Sequence, residues 1–317
     1  AHLDVYQRTP AWVVPRPDRK IARKEQSLYE RHPGVQRVVR DLFYWLLEVR
    51  GAGFTISPKL SGIQERTSRR HLEKQVKDPA LRAKLTPDYQ IGCKRVLLSS
   101  DFYPAMQRPN VELVTNEIDR LTPRGVVDIT GMERETDTVI LATGFDVAGN
   151  VQRMNIVGRG GAILDEIWAA EGVNAHLGIM AAGFPNLFML LGPNTGLGHT
   201  SVVFMIESQI SFVLKALRLL DHSGRPEIDV RPDAQRRSVQ AVQDQLVGTV
   251  WQSGCRSWYL DDSGRNFAIW PKSTMRYWLK TRRLRLGDYT LTASGWDPTA
   301  GRPAAAGEDR SVTFAEH

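Results

Sequence analysis

The chain has 317 residues, of which 42% are hydrophobic and 24% charged, and its 42 Lys and Arg against 35 Asp and Glu give a net charge of +7. These values exclude a disordered chain and are typical of a folded protein with up to two domains and a sizeable core. The positive charge favours an anionic partner without choosing among a phosphorylated cofactor, a nucleic acid and a membrane surface.

The sequence predicts neither a metal site nor a membrane span. Its two cysteines, Cys93 and Cys255, are far apart and belong to no cluster with zinc-ligand spacing, so we expect reduced thiols in a cytoplasmic protein. The longest apolar stretch, Ser201 to Leu220, is interrupted by three charged residues, which is too many for a transmembrane helix.

The first predicted element is a strand at His2 to Gln7, where apolar and polar residues alternate. Arg8 and Thr9 follow its carboxyl end, the edge at which open α/β sheets bind ligands. A guanidinium at that edge suits a phosphate, although a solvated loop arginine is the plain alternative. Because the chain begins at Ala1 without a methionine and runs directly into this strand, we expect it to be cut from a longer protein.

Residues 20 to 87 have a helical pattern. Asp78 followed by Pro79 predicts the start of a short helix that Pro87 ends. The segment Glu25 to Arg50 predicts a helix whose apolar face lies in the core. The residues of that face are Val35, Val38, Val39, Leu42, Phe43, Leu46 and Val49.

Lys94 and Arg95 stand immediately before an apolar strand predicted at Val96 to Leu98. Adjacent residues of an extended chain point to opposite sides, so we expect the two cations to serve different partners. A pair of surface cations flanking a strand is the plain alternative. Further strands are predicted at Val111 to Thr115 and at Gly125 to Ile129.

The segment Asp137 to Asp146, which reads DTVILATGFD, predicts a buried parallel strand followed by a turn. Thr138 to Leu141 is a short, branched, apolar run of the kind found inside parallel sheets. Gly144 has no Cβ and so permits a sharp turn or a close approach of a ligand. An ordinary turn after a strand explains these residues equally well.

A glycine-rich turn, Gly192 to His199, lies between a buried strand predicted at Asn186 to Leu191 and a helix predicted at Ser201 to Leu220. Such a turn offers free amides and the positive end of a helix dipole, which suit a phosphate or an electron-rich ring edge. It is not a dinucleotide fingerprint, because no strand and acidic residue follow at the required spacing. We expect His199 to cap the helix rather than to act as a general base.

The last part of the chain begins with a helix predicted at Asp233 to Thr249. The segment Cys255 to Leu286 then interleaves tryptophan with arginine, a composition found in nucleic-acid-binding surfaces. We favour packing of these aromatic residues against the body of the protein and expect no nucleic-acid partner. From Thr290 to His317 the composition predicts a flexible tail.

Four segments together resemble the flavin-dependent monooxygenases of the Baeyer-Villiger type. They read YQRTPAWVVPRPDR, IGCKRVLLSSDFYPAM, ATGFD and GFPNLFMLLGPNTGLGH, and the resemblance extends over residues 2 to 285. It implies an α/β flavoprotein fold built on two dinucleotide-binding, Rossmann-like domains, of which this chain holds a part. The glycine motif that binds FAD in this family has no counterpart here, so we expect a fragment.

The resemblance implies three regions. Residues 1–142 would form an incomplete NADP-binding domain with a helical insertion at about 20–87. Residues 143–289 would form the C-terminal part of the FAD-binding domain, and 290–317 would form the flexible tail.

The resemblance also implies the cofactors FAD and NADPH. Arg8, Thr9 and Lys94 would select NADPH, with Lys94 on its 2′-phosphate, and Arg95 would be the catalytic residue that stabilises the flavin peroxide anion. The other implied cofactor-binding residues are Thr143, Gly144 and Asp146 at the hinge between the domains, and Gly192, Asn194, Thr195 and Gly198 beside the flavin ring.

The activity implied by the resemblance is the insertion of one oxygen atom from O2 next to the carbonyl of an apolar ketone through a C4a-peroxyflavin. One alternative is a flavin monooxygenase that oxygenates the nitrogen or sulfur of amines or sulfides. A second alternative is a truncated, non-catalytic remnant of such an enzyme.

Overall fold

The computed structural model describes residues 1–55, 61–144, 154–254, 257–261 and 263–292. Helices and strands both occur along this part of the chain, so the architecture is mixed α/β. The helices are α1 (Arg23–Arg31), α2 (Pro33–Thr55), α3 (Gly62–Gln75), α4 (Pro79–Lys84), α5 (Phe102–Met106), α6 (Leu164–Glu171), α7 (Val202–Ser223), α8 (Pro232–Leu246) and α9 (Thr274–Thr281). The strands are β1 (Leu3–Tyr6), β2 (Val13–Val14), β3 (Leu97–Leu98), β4 (Val111–Val114), β5 (Ile118–Leu121), β6 (Gly125–Asp128), β7 (Glu133–Glu135), β8 (Glu227–Val230) and β9 (Tyr289–Thr292).

Two pairs of parallel strands organise the first part of the fold. β1 pairs with β4 from Leu3↔Val111 to Tyr6↔Val114, and β2 pairs with β3 through Val13↔Leu97. The strands predicted at the start of the chain and at Val111 to Thr115 are therefore confirmed. β3 is shorter than predicted, and both of its side chains are exposed.

Short helices pack on these strands and bury their apolar faces. The Ser68 hydroxyl of α3 donates to the carbonyl of Val13, which ties the helix to β2. The predicted cap of α4 is confirmed, because the Asp78 carboxylate accepts the amides of Ala80 and Leu81. The buried core of this region consists of Val13, Leu72, Val76, Leu85, Tyr103 and Leu113.

The prediction that α2 buries its apolar stripe is wrong. Val38 and Leu42 are each 68% exposed and Val49 is 70% exposed. The helix packs instead through a neighbouring stripe that holds Tyr44, whose ring stacks on Phe204 with centroids 5.0 Å apart. Periodicity identifies an apolar stripe, but the partner is chosen by tertiary contacts, and here they favour the stripe with the hydrogen-bonding groups.

The sequence pattern predicts one continuous helix from Glu25 to Arg50, but the structure has two helices there, α1 and α2. The break falls at His32, immediately before Pro33. The ring of a proline disfavours helical dihedrals at the residue before it. The single helix predicted from Glu25 is therefore two helices.

The antiparallel strands β5, β6 and β7 form a separate three-stranded sheet. The buried strand predicted next, at Thr138 to Leu141, is wrong. Its residues have no strand assignment, and Ile140 and Leu141 are 81% and 74% exposed. A strand is stable only when a neighbour accepts its backbone hydrogen bonds, and within the described ranges no strand lies beside this segment.

The second half of the fold is built around α7, which packs against the antiparallel pair β8 and β9. The helices predicted at Ser201 to Leu220 and Asp233 to Thr249 are confirmed as α7 and α8. The predicted tail begins too early, because residues 290–292 pair with β8 in β9 and the adjoining Tyr289 is buried. The rest of that tail, 293–317, lies outside the described residues.

The strand predicted at Asn186 to Leu191 is wrong as well. Asn186 and Leu191 have φ values of 59° and 54°, which no extended strand accommodates. The Asn186 side chain explains the first of these, because its oxygen accepts the amide of Ile228 and its nitrogen donates to the carbonyl of Pro226. The Asn186 side chain is therefore hydrogen-bonded to the start of β8, and this segment does not pair with it as a strand.

The cysteine expectation is wrong for Cys93, which is buried and disulfide-bonded. Distant cysteines give no pairing information in a sequence, because pairing depends on Cα separations that only the fold provides. Cys255 lies outside the described residues. In the part of the chain that is described, no helix is long and apolar enough to cross a bilayer. The cytoplasmic location stays a prediction.

Asp128 closes the three-stranded sheet at the end of β6. Its carboxylate accepts hydrogen bonds from the Thr130 hydroxyl, the Asn116 amide and the backbone amides of Thr130 and Met132. Arg134 lies 3.4 Å away. These bonds, with the Thr130 hydroxyl contributing most, lower the pKa of Asp128 well below its ordinary value.

Asp128→Asn should destabilise the protein at neutral pH, and the loss should shrink as the pH falls below about 4. The pKa of Asp128 is lower in the folded state, so its carboxylate stabilises the fold above the pKa of the unfolded chain and loses that effect as it becomes protonated. Urea unfolding of both proteins at neutral and acidic pH measures the difference.

The matched control is Asp119→Asn in β5, where the carboxylate is half exposed and Arg120 is its ion-pair partner among the described residues. It should change stability little at either pH. An Asp128→Asn defect of equal size at neutral and acidic pH would contradict the assignment.

Candidate functional site

The glycine-rich turn Gly192 to His199 is held against residues 266–270 by its own backbone and by one asparagine. Asn194 has a φ of 57°, and its side-chain amide donates to the carbonyls of Asn266 at 2.9 Å and Ile269 at 3.2 Å. Its backbone amide donates to the carbonyl of Phe267. Asn194 therefore fixes the turn from inside, with its side-chain donors already used.

The glycines of the turn permit close packing of backbone on backbone. A Cβ at Gly192 would lie 2.5 Å from the carbonyl oxygen of Gly178, and a Cβ at Gly198 would lie 3.1 Å from the ring of Trp251. Thr195 is fully buried, and its hydroxyl donates to the carbonyl of Gly192 at 2.6 Å. The structure thus places the four predicted residues of this turn together and uses two of their side chains internally.

The outer side of the turn carries unused hydrogen-bond donors. Among the described residues, no acceptor takes the amides of 197–202, and the Ser201 hydroxyl caps α7 by accepting the amide of Val203. The indole nitrogen of Trp251 is buried without a hydrogen bond. Together with the positive end of α7, these groups suit an electron-rich ring edge or a phosphate.

The prediction that His199 caps the helix is wrong, because Ser201 occupies that position. His199 instead lies against Glu48 in a buried contact, with its Nε2 3.5 Å from Glu48 Oε1. The same carboxylate accepts the hydroxyl of Thr274 at 2.6 Å. Burial raises the pKa of Glu48, but the contacts with His199 and Thr274 outweigh it and hold that pKa below its ordinary value.

Gly51 allows α2 to lie directly over this histidine. A Cβ at Gly51 would come within 2.2 Å of the His199 ring. Helix α2, whose apolar face was predicted to lie in the core, therefore covers one end of the glycine-rich turn.

Lys94 and Arg95 contact different groups, in agreement with their expected opposite directions. The Lys94 ammonium lies 4.8 Å from the centre of the Tyr89 ring. Arg95 is exposed and lies near Tyr259, where its positive charge opposes the rise in the Tyr259 pKa that burial causes.

The segment that carries these cations shares a hydrophobic core with the glycine-rich turn. Cys93 and Val96 pack in the same cluster as Leu197, Trp251 and Tyr259. Residues that lie a hundred positions apart in the sequence are therefore neighbours across one core.

Arg8 and Thr9 lie between the carboxyl end of β1 and the start of β2. Lys94 precedes β3, and β2 and β3 are parallel neighbours, so Arg8 and Lys94 approach the same edge of this pair. Arg8 is exposed.

The hinge residues are placed less completely. Thr143 and Gly144 are exposed, and Gly144 has a φ of 92° that favours glycine. Asp146 lies outside the described residues.

Sequence reasoning missed several groups that shape the site. Four residues that the sequence did not single out contact residues that it did: Gly178, Trp251, Glu48 and Tyr89. Each is either far from its partner in the sequence or belongs to no recognisable motif. Of these four, Tyr89 could have been noticed in the sequence, because it is an aromatic residue shortly before Lys94.

Two curated relatives show what this chain is similar to. A Baeyer-Villiger monooxygenase of Pseudomonas aeruginosa is 45% identical over 296 residues, which are 93% of this chain and 56% of the relative. A Baeyer-Villiger monooxygenase of Streptomyces coelicolor is 43% identical over 291 residues, 91% of this chain and 56% of the relative. This chain is similar to the Baeyer-Villiger monooxygenases over most of its length. The predicted resemblance is confirmed, while no protein-family model matches the sequence.

Solved structures of monooxygenases share the fold. An oxidised steroid monooxygenase bound to NADP has a TM-score of 0.78 at 25% identity, over 92% of this chain and 62% of that one. Cyclohexanone monooxygenase from Rhodococcus sp. Phi1 bound to NADP+ has a TM-score of 0.77 at 23% identity, over 92% of this chain and 63% of that one. The chain spans little more than half the length of the curated relatives named above.

Gly178→Ala should disrupt the glycine-rich turn. Gly178 has a φ of 65°, and a Cβ there would lie 2.2 Å from Thr195 Cγ2 and 2.5 Å from the carbonyl oxygen of Pro193. We expect a loss of about 1 kcal/mol from the backbone conformation and about 1–3 kcal/mol more from the clash. Chemical denaturation measures the free energy of unfolding.

Gly224→Ala is the control, because Gly224 has a φ of 60° but open space around its Cβ position. It should lose only the backbone contribution. Equal losses for the two variants would contradict the role given to close packing at Gly178.

Proposed function

We propose that this chain provides the NADPH-binding residues and part of the FAD-binding residues of a monooxygenase of the Baeyer-Villiger type. The observation that carries the proposal is the 45% identity to a Baeyer-Villiger monooxygenase over 93% of the chain. That stretch includes both the Lys94–Arg95 segment and the glycine-rich turn, which share one hydrophobic core.

The domain arrangement is part of the proposal. Residues 1–142 form an incomplete NADP-binding, Rossmann-like domain, and helices α1 to α4 form an insertion within it at about 20–87. Residues 143–289 form the C-terminal part of the FAD-binding domain. The parallel pairs β1–β4 and β2–β3 support the first assignment, because parallel strands with helical crossovers are the building units of such domains.

The residues of the glycine-rich turn suit FAD. The amides of 197–202, the Trp251 indole and the amino-terminal end of α7 present donors and positive potential to an electron-rich ring edge. Asn194 and Thr195 act here by holding the turn in shape, since their side chains bond within the protein. Thr143, Gly144 and Asp146 would contact a cofactor at the hinge.

FAD reduced by NADPH would supply the reaction with O2 that delivers one oxygen atom beside the carbonyl of an apolar ketone. Arg95 provides a cationic guanidinium whose N–H donors stabilise negative charge on the reacting oxygen. Lys94 binds the 2′-phosphate, and Arg8 and Thr9 help to favour NADPH over NADH.

The first experiment is the visible spectrum of the purified chain after addition of FAD and desalting. We expect a retained flavin band shifted from that of free FAD, followed by NADPH consumption and ester formation with a panel of ketones. A protein that loses all flavin contradicts FAD binding by this chain. Oxygenation of amines or sulfides without any ester would contradict the Baeyer-Villiger assignment.

Arg95→Met in the flavin-loaded protein should lower ketone oxygenation by about 100-fold or more, because a charge aimed at the reacting oxygen is lost. NADPH oxidation should remain measurable, since hydride transfer does not need this guanidinium. Product formation and NADPH consumption are measured in parallel.

Arg120→Met is the control for loss of a surface arginine, because Arg120 is exposed and pairs with Asp119. It should leave both rates unchanged. Undiminished ester formation by Arg95→Met would remove the catalytic role from Arg95.

A further inference from the structure

We propose that Tyr89 is a positioning residue that holds the Lys94 ammonium for the 2′-phosphate of the nicotinamide nucleotide and thereby strengthens the preference for NADPH. The inference rests on the proposed function and concerns a residue that has no role in the resemblance.

The contact itself is a cation over an aromatic face. The Lys94 Nζ lies 4.8 Å from the centre of the Tyr89 ring, within the range at which the ring attracts a cation. A lysine has a flexible four-carbon stem, so an unheld ammonium loses conformational freedom when it binds a phosphate. A ring that restricts the stem beforehand reduces that loss.

A ring holds the lysine without neutralising it. Among the described residues, no carboxylate pairs with Lys94, so its full charge stays available to an anion. Arg69 differs, because it lies 5.0 Å over the Trp12 ring but is also paired with Glu65 at 3.0 Å. Of these two cations held by aromatic rings, Lys94 is therefore the one suited to a phosphate.

Tyr89 is itself fixed by Trp12. The Trp12 indole donates to the carbonyl of Tyr89 at 2.8 Å, and the two rings meet edge to face with centroids 6.5 Å apart. Trp12 is 2% exposed, so it is a rigid support. Arg69, Trp12, Tyr89 and Lys94 therefore form one connected row, hereafter the aromatic row.

The aromatic row lies on the segments that carry Arg8 and Lys94, the cations proposed for the nucleotide. Trp12 and Lys94 stand before the parallel neighbours β2 and β3, at the edge that Arg8 also approaches. Burial raises the pKa of Tyr89, so its phenol stays neutral and does not repel a phosphate.

The test compares the binding of adenosine 2′,5′-bisphosphate with that of AMP, which lacks the 2′-phosphate, by titration calorimetry on the whole chain. We expect the wild-type protein to prefer the bisphosphate and Tyr89→Leu to lower that preference roughly two- to fivefold. Tyr89→Phe keeps the ring and should keep the preference.

A double-mutant cycle separates positioning from general structure. In a Lys94→Met background, Tyr89→Leu should cause no further loss of preference, because the residue acts through the lysine. Lys280→Met is the matched control, since Lys280 lies over the Trp270 ring at 5.8 Å and belongs to α9. It should leave the preference unchanged.

The outcomes distinguish the inference from the proposed function. A wild-type protein that binds both nucleotides equally overturns the NADPH assignment and this inference with it. A preference that survives Tyr89→Leu, or that falls equally in the Lys94→Met background, overturns the role of Tyr89 alone. Loss of the preference in Arg69→Met with retention in Tyr89→Leu would move the role to Arg69.

Discussion

The close packing of the glycine-rich turn on two other stretches of backbone is the constraint on which the site depends. A Cβ at Gly192 would meet the backbone of Gly178, and a Cβ at Gly178 would meet Thr195 and Pro193. Asn194 joins the turn to residues 266–270. Because this contact sets where α7 begins and where its unpaired amides lie, it also sets the surface available to a cofactor ring.

The hydrophobic core beneath the glycine-rich turn also anchors the segment that carries the two cations. Leu197 packs in one cluster with Cys93 and Val96, so the segment that carries Lys94 and Arg95 is anchored to the glycine-rich turn. The two cations leave that anchored segment in different directions, one toward Tyr89 and one toward Tyr259. Among the described residues, no carboxylate pairs with either cation, which leaves both charges available to an anionic ligand or a reacting oxygen.

Short motifs made the candidate residues predictable from the sequence. The residues that contact them in the fold were not predictable in this way. The turn at Gly192 to His199 is recognisable because its glycines permit a close approach of backbone. The Lys94–Arg95 pair is recognisable because two cations directly precede an apolar strand. The helix cap assigned to His199 and the core face assigned to α2 were wrong for one shared reason. A side chain or a helix face has several possible partners, and Glu48 and Thr274 lie far from His199 in the sequence.

The sequence by itself determined the mixed α/β class, the first strand, the capped helix at Asp78, the long helix after the glycine-rich turn and the resemblance to the monooxygenases. These properties depend on local dihedral preferences, periodicity and short motifs, all of which are contained in neighbouring residues. Only the tertiary structure decided that residues 138–141 stay outside any described strand, that Cys93 is paired, and that Tyr89 holds Lys94. Each of these depends on which distant groups meet, and that is settled by packing.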